Sequence, residues 1–250
     1  MLSKETEDKL RQMRLGSWIE MWPKVMSTSQ NEKITFEALL VEMIDMEYHR
    51  KQETALIRRI KKAKVPELWN IETYPFDRQP KINRRKIMAA YESFDYMLSK
   101  KNMVWVGPTG TGKSGLATSF LMQALEKNYT GIFVSFQNLM HDFYQAAADH
   151  SEQKVLKPYI SCDCLLIDEI GYSEVESAPV GLFFELLHRR HKKATTLITT
   201  NLGFPEWGTF LKNKHLTAAL IDRVTENCDV INLSGCISLR HSKGTPVVEK

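Results

Sequence analysis

The sequence predicts an α/β protein, a mainly parallel sheet flanked by helices, with a small all-α region in front of it. Three features carry that prediction. Beyond residue 102, five apolar runs of strand length alternate with amphipathic helical stretches, the order that builds parallel strand–helix–strand units. A glycine-rich loop separates the first of these runs from the helix that follows. Before residue 64 the apolar positions keep only the three-to-four spacing of helices.

Taken in order, residues 5–22 place Leu10, Met13, Leu15, Trp18, Ile19 and Trp22 on roughly one helical stripe, which Pro23 is expected to end. A polar connection is expected at 27–33. A long helix then runs from the N-cap Thr35 to about Lys64, with Phe36, Leu39, Leu40, Met43, Ile44 and Tyr48 in helical register. In its second half Leu56, Ile57 and Ile60 lie on one side and the basic residues on the other. Val65-Pro66 closes it, because the residue before a proline is pushed out of the α region. Pro66, Pro75 and Pro80 punctuate 66–81 without a clear period. The linker is therefore expected near 70–76, dividing a helical domain, 1–72, from an α/β domain, 73–250. Another helix is expected over 83–100. The strands are expected at MVWV (103–106), IFVSF (132–136), CLLID (164–168), TTLIT (195–199) and DVINL (229–233).

Charge is unevenly spread. Of 250 residues, 34 are Lys or Arg and 30 are Asp or Glu, a net +4, yet residues 48–86 alone hold twelve basic against four acidic side chains. That local +8 leaves the remainder at −4. Such a cluster marks a surface for nucleic acid or an acidic partner, or else a solvated helix face. Cys162, Cys164, Cys228 and Cys236 offer neither a C-x-x-C pair nor zinc-type His spacing, so they read as small hydrophobes. The charged N-terminus lacks a signal-peptide apolar region, and no stretch approaches the ~20 apolar residues that span a bilayer. A cytoplasmic protein with no membrane partner is expected.

The chemistry is concentrated in four pieces. The first, Gly107-Pro108-Thr109-Gly110-Thr111-Gly112-Lys113-Ser114, fits the phosphate-loop pattern G-x-x-x-x-G-K-[ST], with a strand directly before it and a helix directly after. Its glycines let backbone N–H groups turn inward around phosphates, and the helix N-terminus adds partial positive charge. Lys113 would reach the β- and γ-phosphates, and the Ser114 hydroxyl would ligate Mg²⁺. The second is an apolar strand ending in Asp168-Glu169. At the strand tip Asp168 can hold Mg²⁺ through water, and Glu169 can polarise an attacking water as general base. The third is TTLITT followed by Asn201, whose amide is offered at the carboxyl edge of the sheet to a water or the γ-phosphate. The fourth is Arg223 in LIDRV, read either as a surface residue or as a finger reaching a neighbouring subunit's γ-phosphate.

In this order and spacing the four pieces resemble the AAA+ phosphate-loop ATPases, and among them the DnaC/IstB branch: GPTGTGKS, LLIDEIGY, LITTNL and LIDRV. Ser238-Leu239-Arg240 stands where that branch carries a short S-Y-R motif, with Leu239 in the place of Tyr. The front end, LRQMRLGSWIEMW followed by ITFEALLVEMIDMEYHRKQETALIRRIKKAKVP, is similar to the helical region of insertion-sequence ATP-binding proteins. The resemblance implies an ATPase that uses ATP and Mg²⁺, binds double-stranded DNA, forms a homo-oligomer with ATP sites between subunits, and directs a cognate transposase. It makes Asp168 and Glu169 the Walker B pair, Asn201 sensor 1, and Arg223 the finger.

No base-reading module accompanies the basic segment, so Arg50, Lys51, Arg58, Arg59, Lys61, Lys62, Lys64, Arg84 and Arg85 are candidates for contacts to DNA phosphates rather than bases. The aromatics among them, Tyr48, Trp69, Tyr74 and Phe76, sit beside apolar residues and read as packing. A helicase loader would share the same core. A small-molecule kinase would need an acceptor pocket, whereas Glu169 beside Asp168 points to water as acceptor.

Overall fold

The computed structural model describes residues 2–28, 35–79, 81–171, 177–212 and 214–240. Pro80, Tyr172 and most of the connection expected at 27–33 lie outside them. The chain divides into two compact units, 1–58 and 59–250.

The first unit begins with α1 (Lys4–Gln12) and α2 (Gly16–Thr28) and takes in most of α3 (Phe36–Ala63). One helix was expected over 5–22. The chain instead turns at Arg14, which adopts a left-handed φ of 57°, and the Leu15 N–H returns to Leu10 O at 2.9 Å. Pro23 lies inside α2 and does not end it. Thr35 does cap α3, its Oγ1 accepting from Ala38 N at 3.2 Å. Trp18, Met21, Val25, Leu39 and Met43 form the apolar core of this unit. The buried Glu47 carboxylate accepts from Ser17 N at 3.0 Å, which satisfies a donor at the start of α2.

The second unit holds a five-stranded parallel sheet of order β2-β3-β4-β1-β5: β1 Asn102–Val106, β2 Gly131–Ser135, β3 Cys164–Ile170, β4 Thr195–Thr200 and β5 Cys228–Asn232. The helices between them are α6 (Lys113–Glu126), α7 (Phe136–Asp149), α8 (Glu152–Ser161), α9 (Ser177–Arg190), α10 (Phe204–Phe210) and α11 (Lys214–Thr225). The central strands are covered on both faces, which is why β1 and β3 read as near-continuous apolar runs rather than alternating ones. Helix α6 is buried from Gly115 to Leu125, with Phe120 packed edge-on to Trp105 of β1 and to Tyr96. The helix expected over 83–100 is two, α4 (Arg84–Ser93) and α5 (Asp95–Leu98), split where Phe94 takes φ 56°.

Two features were not expected from periodicity. Arg190, only 1% exposed, donates to Tyr159 O at 2.6 Å, Cys162 O at 2.8 Å and Thr196 Oγ1 at 3.1 Å, tying α9 to the starts of β3 and β4. The proline-rich stretch 66–79, expected to hold the linker, packs into the second unit as two short 3₁₀ turns. Ile71, Tyr74, Phe76 and Gln79 are buried there, and Tyr74 donates its hydroxyl to Thr111 O at 2.7 Å. The observed division at 58/59 therefore falls within α3, ahead of the expected 72/73.

Candidate nucleotide site

The phosphate loop leaves β1 at Gly107, where a Cβ would come within 2.9 Å of Leu233 backbone. Only glycine allows that approach. Gly110 and Gly112 both take φ 84°, turning the loop into the first turn of α6. Thr111 Oγ1 donates to Pro108 O at 2.9 Å and closes the loop on itself. Lys113 is buried, its Nζ held at 2.8 Å from both Gly107 O and Pro108 O. Burial lowers the Lys113 ammonium below its ordinary pKa; Asp168 and Glu169 oppose that shift and Arg240 adds to it.

A cleft of about 720 Å³ opens over the loop. It brings together Thr109, Gly110, Gly112, Lys113 and Ser114 with Asp168 and Glu169 from β3. Register explains how both acids reach it. Strand β3 pairs with β4 through Ile167↔Ile198 and then Ile170↔Thr200, so Asp168 and Glu169 together oppose the single residue Thr199. This bulge leaves Asp168 buried and turns Glu169 outward with a left-handed φ of 64°. Ser114 and Asp168 supply hard oxygen donors, the set that suits Mg²⁺ with phosphate and water in the other positions. Among the described residues no cluster of three or more His, Cys, Asp or Glu is placed to hold a metal ion.

The rest of the lining includes Leu239 and Arg240, which the sequence set at the S-Y-R position, and Pro66, Glu67 and Trp69, which were not read as part of a site. A Cβ on Gly115 would lie 2.8 Å from the Trp69 ring, so this Trp rests on the first turn of α6. Leu239 N donates to Gly110 O at 2.8 Å. The segment carrying Leu239 is fastened by the buried Gln79, whose amide donates to Ile237 O at 2.7 Å and accepts from Ile237 N at 2.8 Å. Gln79→Leu removes both bonds to Ile237, each worth about 0.5–1.5 kcal/mol. The substitution is expected to weaken nucleotide binding about tenfold, read by titration with a fluorescent ATP analogue; an unchanged Kd would show that this wall contributes nothing to binding.

Five residues predicted for this site stand outside the cleft lining: Gly107, Pro108 and Thr111 within the loop itself, and Asn201 and Arg223 elsewhere. Asn201 follows β4, and its buried Oδ1 has no hydrogen-bond partner among the described residues; a Cβ on Gly171 would come within 2.7 Å of it. Arg223 is held in α11, with Nε donating to His188 Nδ1 at 3.0 Å and the guanidinium 4.9 Å above the Phe184 ring.

The basic candidates are distributed over both units. In the first, Arg50 bonds Ser17 and Glu20, Lys51 pairs with Glu47, and Arg58 donates to Thr54 O. In the second, Arg59 donates to Leu125 O at 2.8 Å, capping the last turn of α6, which gives it a structural role. Lys62 and Lys64 line a separate pocket beside Thr130 and Asp142, Arg84 lies near Asp77 and over Phe76, and Lys61 and Arg85 are exposed. Tyr74 and Phe76 are buried and pack edge-to-face, as expected of them. Cys162, Cys164 and Cys236 are buried free thiols, and burial pushes the Cys228 thiol up to about 12, so these cysteines are poorly reactive.

The family model described as IstB-like ATP binding protein matches residues 8–244. The chain belongs to this family. This IstB-like protein is 28% identical over 226 residues to a Bacillus thuringiensis subsp. berliner protein named for ATP binding in insertion sequence IS232, covering 90% of each chain. It is 27% identical to the corresponding IS5376 protein of Geobacillus stearothermophilus, over 89% of this chain and 88% of that one. Among solved structures its fold is similar to that of DnaI, with TM-score 0.57 and 17% identity over 66% of this chain and 91% of that one. It is also similar to the DnaC helicase loader, with TM-score 0.50 and 18% identity over 60% and 87%. The IstB-like chain thus belongs to a family described by ATP binding and carries a fold similar to that of DnaI. No helix among the described residues is long and apolar enough to cross a membrane.

Proposed function

We propose that this protein is the Mg²⁺-dependent ATPase of an insertion sequence, which assembles on double-stranded DNA and directs its transposase to the target. The observation that carries the ATPase reading is the single cleft shared by Lys113, Ser114, Asp168 and Glu169. Lys113 would stabilise phosphate charge, and Ser114 and Asp168 would hold Mg²⁺, which supplies charge neutralisation when bound. Glu169, turned outward by the bulge, would accept the proton of an attacking water. Arg223, held outside its own subunit's cleft, would complete the site of a neighbouring subunit in a homo-oligomer. The test is phosphate release from ATP with and without DNA, across protein concentration. Turnover per subunit should rise with concentration and with DNA; no release under any condition would overturn the reading.

DNA contacts are assigned to phosphates, reached by exposed Arg58, Lys61 and Lys62. Arg59 is left out because its loss would uncap α6. Changing the three to Ala is expected to weaken binding equally on unrelated duplexes. It should also reduce the slope of log K against log salt by about 2–3, near 0.9 per lost contact. Unchanged affinity and slope would move the DNA site elsewhere. The coverage of insertion-sequence relatives favours a transposase over a replicative helicase as partner, and co-purification with each tests the choice.

A further inference from the structure

Thr199 lies at the centre of the bulge and has no part in the assignments above. Its side chain is fully buried, and its hydroxyl makes two bonds at once. Oγ1 donates to Asp168 Oδ1 at 2.5 Å and accepts from Glu169 N at 2.9 Å. One oxygen thus fixes the carboxylate assigned to Mg²⁺ and the backbone amide of the residue assigned to water. The amide belongs to a non-glycine residue at φ 64°, a conformation that lasts only where its surroundings over-determine it. The register places Thr199, and no other residue of β4, opposite the two acids.

We infer that Thr199 is a positioning residue, whose hydroxyl holds Asp168 in the rotamer that faces the metal and locks the outward turn of Glu169. The inference rests on the reading of the cleft as a Mg²⁺-dependent ATP site. A hydroxyl that merely satisfied the core would be replaceable without a specific effect on either acid. A positioning hydroxyl cannot be removed without disturbing metal affinity and the chemical step together. Outer-shell partners of this kind are worth about 10–100-fold in metal affinity or activity.

The test compares wild type with Thr199→Val, which keeps shape and strand propensity but removes the hydroxyl, and Thr199→Ser, which restores it. Two readouts are needed. In steady-state phosphate release, Thr199→Val should lower kcat about 30-fold with KM for ATP within about threefold, and Thr199→Ser should recover most of the loss. In titrations of Mg²⁺ at fixed fluorescent ATP analogue, Thr199→Val should need about tenfold more Mg²⁺ for half-saturation. Equal kcat and an equal Mg²⁺ midpoint in a folded Thr199→Val would overturn the inference, as would a Thr199→Ser as impaired as the valine. If Thr199→Val fails to fold, Thr199→Ser against Thr199→Ala decides in the same two readouts. A wild type that binds Mg²⁺ and nucleotide but releases no phosphate would refute hydrolysis alone, and the Mg²⁺ midpoint would still decide Thr199.

Discussion

Glu169→Gln is expected to bind ATP as wild type does and to release phosphate at least about 100-fold more slowly, the usual scale for loss of a general base. Gln has the same length as Glu, and the outward direction is set by the bulge opposite Thr199 rather than by the carboxylate. It removes the one outward-facing carboxylate of the two acids, while Asp168 remains buried on its Thr199 bond. Fluorescent-analogue binding and single-turnover phosphate release on the same preparation separate the two effects. Loss of binding with intact folding would assign Glu169 to the metal instead.

Arg223→Ala is expected to leave nucleotide binding by the isolated chain unchanged and to lower assembled turnover by about 10³-fold or more, the range seen for arginine fingers. The guanidinium now rests between His188 and Phe184, so its removal exposes no buried charge and should not unfold α11. Mixing provides the sharper measurement. Glu169→Gln and Arg223→Ala subunits are each inactive alone, but an assembly of both contains interfaces with an intact Glu169 on one side and an intact Arg223 on the other. Recovery of activity on mixing is the expected result; a mixture as inactive as its components would place Arg223 outside catalysis.

What could be read in the sequence, and what could not, follows from the distance over which each signal acts. The phosphate loop is legible because turn geometry, anion binding and helix start are all encoded in eight consecutive residues, 107–114. Strands β1 and β3 were legible because burial on both faces makes them near-continuous apolar runs. The far wall of the cleft was not. Trp69, Tyr74 and Gln79 sit in a stretch with no period, and each acts through a partner distant in the chain: Gly115, Thr111 and Ile237. The same blindness made the proline-rich stretch read as a linker, since prolines that end helices can equally shape a packed irregular segment. The breaks at Arg14 and Phe94 were missed because nothing in an Arg or a Phe announces a left-handed backbone. The bulge depends on a comparison between two strands, so no reading of β3 alone would find it.

The conformation of Glu169 also bears on how this chain balances folding against work. A left-handed backbone at a residue with a Cβ is a local strain of about 1–2 kcal/mol, which glycine would not carry. The position assigned to proton transfer is therefore one where the fold by itself would be better served by the smallest side chain. A search for stabilising substitutions would be drawn to this site, and a variant chosen there for heat resistance alone would be a sturdier and idle protein.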